Sequence, residues 1–289
     1  MPNPNHPLSE ILTNNVRLCS LEVSSNRPVD YNILNKMKYT FCSVIWIGNY
    51  NKAPEHVGPL ALAKELINKG ITVVLHFACR NNTKNSCTAN LDYAKQIGVR
   101  NLMVVRGASP ECNVADKKYD FSHTPEMLNF IKSRYGDYFE LCVAGFPYKH
   151  PDSKDLEDDM KYLKEKNDAG AKFIITQACF SYNVYREFLD NCRKHGINMR
   201  IIPGVYIIRS VIDFCFLQKL CKVPQSDPLV QKIKQMEGND KEIADFGIKT
   251  SLDTVKKLLA DKDFCPPHVY TMDELSSISN FFKILNEQK

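Results

Sequence analysis

Short apolar runs alternate with longer amphipathic segments along almost the whole chain. Several runs are apolar throughout, as strands buried on both faces of a parallel sheet are. The pattern predicts eight strands: Leu18–Val23, Phe41–Ile47, Ile71–His76, Asn101–Arg106, Leu141–Phe146, Phe173–Gln177, Met199–Pro203 and His268–Thr271.

The segments between these strands have helical periodicity, and four of them end on a glycine. Glycine adopts the left-handed conformation that closes many helices at low cost. The predicted helices are Pro59–Lys69 before Gly70, Ser86–Ile97 before Gly98, Asp152–Ala169 before Gly170 and Tyr182–His195 before Gly196. The repeated order of helix, glycine and strand is typical of βα units.

Eight strands alternating with helices favour an α/β fold of one domain, a closed (β/α)8 TIM barrel over residues 1–289. An open doubly wound sheet is the alternative, because strand order is not visible in one sequence. A single barrel of about 250 residues accounts for most of the length. We predict that residues 1–16 are a polar N-terminal extension and that residues 224–240 are a helix-bearing insertion near the mouth of the pocket.

Composition narrows the class of protein. The formal net charge is +5, without a run of basic residues, so no nucleic-acid partner is expected. The eleven cysteines include no CxxC pair, which predicts no metal site and no complete disulfide framework. Reduced thiols indicate a cytoplasmic location. The sequence has neither a secretory signal nor a long apolar segment, so no membrane span is expected.

Polar and aromatic residues lie at or just after the ends of the predicted strands, at the barrel end where ligands bind. They are Glu22, Trp46 with Gly48, His76, Arg106 with Gly107, Phe146 with His150, Gln177 and Tyr206. A carboxyl group buried at the first strand would have a raised pKa and suit a general acid. The alternative for Glu22 is a frayed strand end paired with a surface lysine.

Two of these positions suit an anionic ligand. Arg106 and Gly107 offer a guanidinium and a flexible backbone amide at a strand end. His150 precedes the helix that carries Asp159 and Lys166, so a pyrophosphate or ribose could bind there; the alternative is a capped helix with a solvated acidic face. The phosphate loops GxGxxG and GxxxxGK[ST] and the GxSxG elbow are absent. No strand ends in the lysine that a Schiff-base aldolase needs.

The chain resembles the methylenetetrahydrofolate reductase family in five segments, which occur in the family's order along the sequence. They are LHFACR, LMVVRG, VAGFPYKHPDS, LKEKNDAGAKFIITQ and IIPGVY. The resemblance implies a barrel with FAD at its C-terminal mouth. It also implies reduction of 5,10-methylenetetrahydrofolate to 5-methyltetrahydrofolate with NADH or NADPH, in one-carbon metabolism and methionine biosynthesis. A small-molecule folate is then the expected partner, and a homo-oligomer remains open.

The resemblance also implies roles for individual residues. Glu22 would be the general acid, with Gln177 and Tyr206 as substrate contacts. The residues implied for FAD are Trp46, Gly48, His76, Arg106, Gly107, Ala108, Phe146, His150, Ser153, Asp159 and Lys166.

Several positions depart from the family. Ala108 stands where an aspartate usually follows Arg-Gly, and Ile45 stands in place of a threonine. Ala178 and Cys179 replace an aromatic pair, Glu274 aligns with a substrate-binding arginine, and Tyr162 and Glu165 are unusual on their helix. The alternative function is therefore a divergent member that binds flavin or folate and has lost or changed the reaction, either as a binding or regulatory protein or as a flavin reductase of another substrate.

Overall fold

The computed structural model describes residues 5–13, 17–46, 52–80, 82–107 and 120–287. Within them all strand pairs are parallel. The strands are β1 (Ser20–Ser24), β2 (Cys42–Ile45), β3 (Val73–Ala78), β4 (Asn101–Val105), β5 (Glu140–Gly145), β6 (Phe173–Thr176), β7 (Arg200–Ile202), β8 (Gly204–Tyr206) and β9 (His268–Tyr270).

The sheet closes through a strand that changes partner at a proline. The order is β7-β6-β5-β4-β3-β2-β1-β9-β8, and its two ends are consecutive pieces of one extended segment. Pro203 lies between them, and because it lacks an N–H it interrupts the ladder. Its carbonyl accepts from the His268 amide at 2.8 Å, where the pairing passes to β9. The predicted barrel is confirmed, with the seventh strand continuing to Tyr206.

Most helices lie between the strands in sequence, while the first precedes β1 and the last follows β9. The helices are α1 (Leu8–Ile11), α2 (Tyr31–Leu34), α3 (Gly58–Asn68), α4 (Lys84–Gln96), α5 (Thr124–Tyr135), α6 (Leu156–Asp168), α7 (Tyr182–Lys194), α8 (Val211–Cys221), α9 (Pro228–Gln235), α10 (Asp240–Ala260) and α11 (Leu275–Glu287), with a 3-10 turn at Pro54–His56. No helix in the described ranges is long and apolar enough to cross a membrane.

The four predicted glycine stops close their helices in the same way. Each glycine has a positive φ, from 67° to 94°. The amide of the following residue donates to the carbonyl five residues earlier, as the Ile71 amide does to Leu66 at 3.0 Å. Helix α6 begins later than predicted, at Leu156 rather than Asp152, because the Asp155 side chain caps it by accepting from the Asp158 amide at 2.9 Å. The segment around His150 is therefore a turn that precedes the helix.

The N-terminal segment fills the amino-terminal end of the barrel. Leu8 and Leu12 are fully buried there against apolar side chains from the strands. The Leu8 amide donates to Asn101 Oδ1 at 2.8 Å, and the Ser9 amide donates to Glu140 Oε2 at 2.6 Å. With this end filled, the open end of the barrel is the carboxyl end.

Helices α8 and α9 form a unit with an apolar cluster of its own, which also includes Tyr206 and Ala178. The Tyr148 hydroxyl donates to Asp227, the residue that caps α9, at 2.8 Å. The segment 224–240 thus packs behind α8, and its place at the pocket mouth stays a prediction.

Candidate functional site

A cavity of about 570 Å³ lies at the carboxyl ends of the strands. Its size is in the range of pockets that hold small molecules and cofactors. Strands β1, β2, β3, β4, β5, β8 and β9 contribute to its wall, as do helices α5, α6 and α8. The residues that line it include Glu22, Ile45, His76, Arg106, Gly107, Phe146, His150, Ser153, Asp159, Tyr162, Lys166, Gln177, Ala178, Tyr206, Leu217, Leu220, Cys221, Tyr270 and Met272.

Most residues predicted for the site lie in this lining. They are Glu22, His76, Arg106, Gly107, Phe146, His150, Ser153, Asp159, Lys166, Gln177 and Tyr206. Trp46 lies outside it, buried edge-on against Phe77 with ring centroids 5.0 Å apart. Alternation along β2 sends Ile45 to the cavity and Trp46 to the opposite face. Gly48 and Ala108 lie outside the described residues. The roles assigned to all these residues stay predictions.

Glu22 is a buried carboxyl group in the cavity wall. It is only 5% exposed, so the frayed strand end does not describe it. Burial, together with the nearby charge of Asp273, raises the pKa of Glu22 to about 8. A carboxyl group with this pKa is protonated at neutral pH and can donate a proton.

His76 is a neutral imidazole with an unused polar atom. Burial lowers its pKa to about 4. Its Nε2 atom is buried, and no described residue is its hydrogen-bond partner. A buried nitrogen without a partner is uncommon, and in a cavity wall it is a candidate contact for a ligand.

A second buried histidine lies deeper in the barrel, where His268 is held at both ring nitrogens. Ser20 Oγ lies 2.8 Å from its Nδ1 and Ser43 Oγ lies 3.0 Å from its Nε2. Burial and the neighbouring His76 lower the pKa of His268 to about 3. This network is satisfied within the protein and holds strands β1, β2 and β9 together.

Helix α6 brings a buried cation and anion to the cavity. Ser153 Oγ donates to Asp159 Oδ1 at 3.0 Å. Lys166 Nζ donates to the Ala144 carbonyl at 3.3 Å, and burial lowers the pKa of this amine, against the opposing effect of Asp159. Burial raises the pKa of Asp159 in turn. This polar pair is the part of the wall best suited to charged or hydroxylated groups of a ligand.

The turn after β5 forms a mixed aromatic and basic edge. His150 packs edge-on against Phe146 with ring centroids 4.4 Å apart, and its Nδ1 accepts from the Asp152 amide at 3.0 Å. Arg106 forms an ion pair with the exposed Asp152. Burial and the charge of Arg106 lower the pKa of His150. The guanidinium is only partly exposed and faces an anion that a ligand phosphate could replace.

The two predicted substrate contacts, Gln177 and Tyr206, differ in whether their side-chain polar groups already have a partner in the protein. The backbone amide of Gln177 donates to the Gly145 carbonyl at 2.8 Å, while its side-chain Oε1 lies 3.9 Å from Cys221 Sγ, a weak contact. The Tyr206 hydroxyl accepts from Arg209 at 2.6 Å. Gln177 therefore has the more available polar side chain.

Sequence reasoning missed several lining residues. Tyr270 ends the last strand, and the rule used for the other strand ends would have found it. Leu217, Leu220 and Cys221 come from α8, whose mostly apolar sequence was an available signal. Met272 lies two residues after Tyr270, in a left-handed conformation with φ 51°.

The positions that depart from the family are divided between the cavity and the surface. Ile45, Ala178 and Tyr162 line the cavity. Cys179 is buried behind it, with its backbone amide bonded to the Tyr185 hydroxyl at 3.1 Å. Glu274 is outside the lining and forms an ion pair with Arg27 at 3.0 Å. The loop after β9 thus places Met272 in the cavity wall. Position 274, where an arginine was expected from the family resemblance, lies outside the lining.

Fold and site together define a (β/α)8 barrel protein with a ligand cavity at the carboxyl ends of its strands. The family model for methylenetetrahydrofolate reductase matches residues 28–286. The chain belongs to the methylenetetrahydrofolate reductase family.

Individual relatives agree with this assignment. Methylenetetrahydrofolate reductase 2 of Schizosaccharomyces pombe is 32% identical over 231 residues, which are 76% of this chain and 36% of that protein. The 5,10-methylenetetrahydrofolate reductase of Buchnera aphidicola is 29% identical over 221 residues, covering 74% of this chain and 72% of the relative. The chain spans only 32% of the related protein from Caenorhabditis elegans and 41% of that from Arabidopsis thaliana.

Among solved structures, an uncharacterised Clostridium thermocellum protein that binds two copies of 5-methyl-5,6,7,8-tetrahydrofolic acid is similar in fold. The TM-score is 0.62 at 12% identity, with 96% of this chain and 99% of that chain covered. Oxaloacetate acetylhydrolase also matches, with a TM-score of 0.56 at 10% identity. At these identities the likeness concerns the fold alone.

Proposed function

We propose that the chain is a flavin-dependent reductase that converts 5,10-methylenetetrahydrofolate to 5-methyltetrahydrofolate with NADH or NADPH. The observation that carries the proposal is the buried Glu22, whose raised pKa suits proton donation, in the same cavity as the residues that family resemblance assigns to FAD. Membership of the family supports the type of reaction, and Glu22 in the cavity wall is a suitable acid for it.

The cavity residues fit FAD. His76 offers a buried nitrogen that lacks a protein partner, and Arg106 and Lys166 offer cations to phosphates. Phe146 and the apolar residues of α8 offer surface to an aromatic ring system. When bound, FAD would carry hydride from the nicotinamide to the folate.

Glu22 would act as the general acid. A protonated carboxyl group can donate a proton to the folate nitrogen that leaves when the five-membered ring opens. Because Glu22 is only 5% exposed, burial disfavours the charged form and helps to keep that proton on the carboxyl group at neutral pH. Gln177 would orient the substrate through its side-chain amide.

The test is the visible spectrum of the purified protein, followed by anaerobic addition of NAD(P)H and then of methylenetetrahydrofolate. A flavin band that bleaches and then recovers on folate addition supports the reductase. Absence of bound flavin, after incubation with added FAD, contradicts the proposal.

A second candidate is a flavin reductase of another substrate, or a member that binds without turnover. It is favoured by the side chains Ile45 and Ala178 in the cavity wall, where the family usually has a threonine and an aromatic residue. These changes alter the shape and polarity of the wall and leave Arg106 and Lys166 in place. A band that NAD(P)H bleaches and folate does not restore supports the altered substrate.

We expect Lys166→Met to weaken FAD binding by about tenfold, equivalent to roughly 1.4 kcal/mol. The variant removes a buried cation from the cavity and leaves Asp159 without a compensating charge. The measurement is a fluorescence titration of the apoprotein with FAD.

The matched control is Lys164→Met on the same helix. Lys164 pairs with Asp168 at the surface, so its replacement should leave FAD affinity unchanged. Equal affinities for the two variants would remove Lys166 from the cofactor site.

A further inference from the structure

The turn after β9 carries an anion that is held against β1. Both oxygens of Asp273 accept from Ser24: Oδ1 from the backbone amide at 2.9 Å and Oδ2 from the hydroxyl at 2.5 Å. The Asp273 amide donates to Thr271 Oγ1 at 3.0 Å, and that hydroxyl donates to the Glu22 carbonyl at 2.7 Å. Two side chains of the turn are thus fixed to the strand that carries Glu22.

This arrangement places the carboxylate close to Glu22. Residues two apart in a strand face the same side, separated by about 7 Å along it. Glu22 and Ser24 have this spacing on β1, and Ser24 binds Asp273 directly. A carboxylate near a second carboxyl group disfavours ionisation of that group. Besides burial, the charge of Asp273 is the cause that raises the pKa of Glu22.

The other titratable groups of the cavity do not replace this effect. Tyr270 neighbours Glu22, but its hydroxyl donates to the Thr176 carbonyl at 2.7 Å and its pKa is well above the ordinary value, so it is neutral. His76 is neutral at physiological pH. The cations of the lining face other anions, Arg106 with Asp152 and Lys166 with Asp159, and His150 lies beside Arg106.

We propose that Asp273 is a positioning residue that acts together with burial to keep the Glu22 carboxyl group protonated, through a carboxylate that Ser24 fixes at the end of β1. The inference rests on the proposed function, in which Glu22 is the proton donor. The role concerns the pH range over which the acid works, and Asp273 itself does not line the cavity.

The test is the midpoint of Glu22 titration in the full chain, measured by NMR of protein labelled with ¹³C at the glutamate carboxyl carbon. Glu22→Gln identifies the signal. We expect Asp273→Asn to lower the midpoint by roughly one pH unit. The alkaline limb of the pH profile of folate turnover should move down by the same amount. An unchanged NMR midpoint in Asp273→Asn overturns the proposal.

Two further variants make the result specific. Asp273 has φ 60°, a conformation that Asn and Gly tolerate, so Asp273→Gly is a second neutral variant that suits the backbone. Glu274→Gln is the control, because it removes a neighbouring charge that is paired with Arg27 at the surface, and the midpoint should stay in place. Since the NMR titration needs no turnover, a shifted midpoint in an inactive protein supports the role of Asp273 and separately contradicts the proposed reaction.

Discussion

Replacement of Glu22 by Gln is expected to reduce folate turnover by about 10²- to 10⁴-fold, the usual contribution of a general acid. Gln has nearly the same shape as Glu, but it has no acidic proton to donate. FAD binding and its reduction by NAD(P)H should remain, because neither needs that proton. Stopped-flow measurement of the two half-reactions separates these effects.

The wild-type pH profile provides the control for this variant. Glu22 must be protonated to act, and its pKa is about 8, so turnover should be constant below this value and fall as the pH rises through it. The Glu22→Gln variant should lack this limb. Turnover by Glu22→Gln at the wild-type rate would remove Glu22 from the mechanism.

The raised pKa of Glu22 also makes the stability of the folded protein depend on pH. Its pKa in the folded protein lies above the ordinary value of 4.5, so the folded state holds a proton that the unfolded state has released. The free energy of unfolding should therefore decrease as the pH rises from about 4.5 to about 8. Glu22→Gln removes this contribution, as expected for a residue placed for function at the expense of stability.

Gly204→Ala is expected to destabilise the protein by about 3 kcal/mol, the upper end of the usual range for overpacking. A Cβ atom at this position would lie 2.1 Å from the Thr176 carbonyl oxygen and 2.6 Å from the Tyr270 ring. The carbonyl belongs to the backbone of β6 and cannot rotate away. Thermal unfolding should shift down by roughly 5–10 °C.

The surroundings explain why this position is sensitive. The Gly204 amide donates to Thr176 Oγ1 at 2.9 Å, and its carbonyl accepts from the Tyr185 hydroxyl at 2.5 Å. Gly204 is also the first residue of β8, the strand that closes the barrel by pairing with β9. A displaced Tyr270 would disturb the cavity wall next to Glu22.

Gly58→Ala is the matched control. An added Cβ at Gly58 would lie 2.9 Å from Ser25 Oγ, which can rotate away, and 3.2 Å from Ser25 Cβ, which would have to shift by only a few tenths of an ångström. Because position 58 begins a helix, where alanine is a good residue, the expected change is within about 1 kcal/mol. Equal unfolding temperatures for Gly204→Ala and Gly58→Ala would contradict the crowding argument.

The local pattern of the sequence was sufficient to predict the barrel and much of the site. Alternating apolar runs and helices that end at a glycine are short-range features, because each depends on only a few neighbouring residues. The strand-end rule then identified Glu22, His76, Arg106 and Gln177, because all parallel strands of a barrel end at the same face.

Contacts between distant residues decided the rest. The exchange of partners at Pro203 and the contribution of α8 to the cavity depend on which elements pack together. The direction of Trp46 depends on the phase of β2, where a shift of one residue exchanges the two faces of the strand.

The sequence by itself determined the class of fold, the family and the face of the barrel that holds the cavity, since each follows from local patterns and motifs. Only the tertiary structure decided that Glu22 is buried and that Asp273, 251 residues later, lies beside it. Burial and charge proximity, which set the pKa of an acid, arise when residues distant in the chain come together in the folded protein.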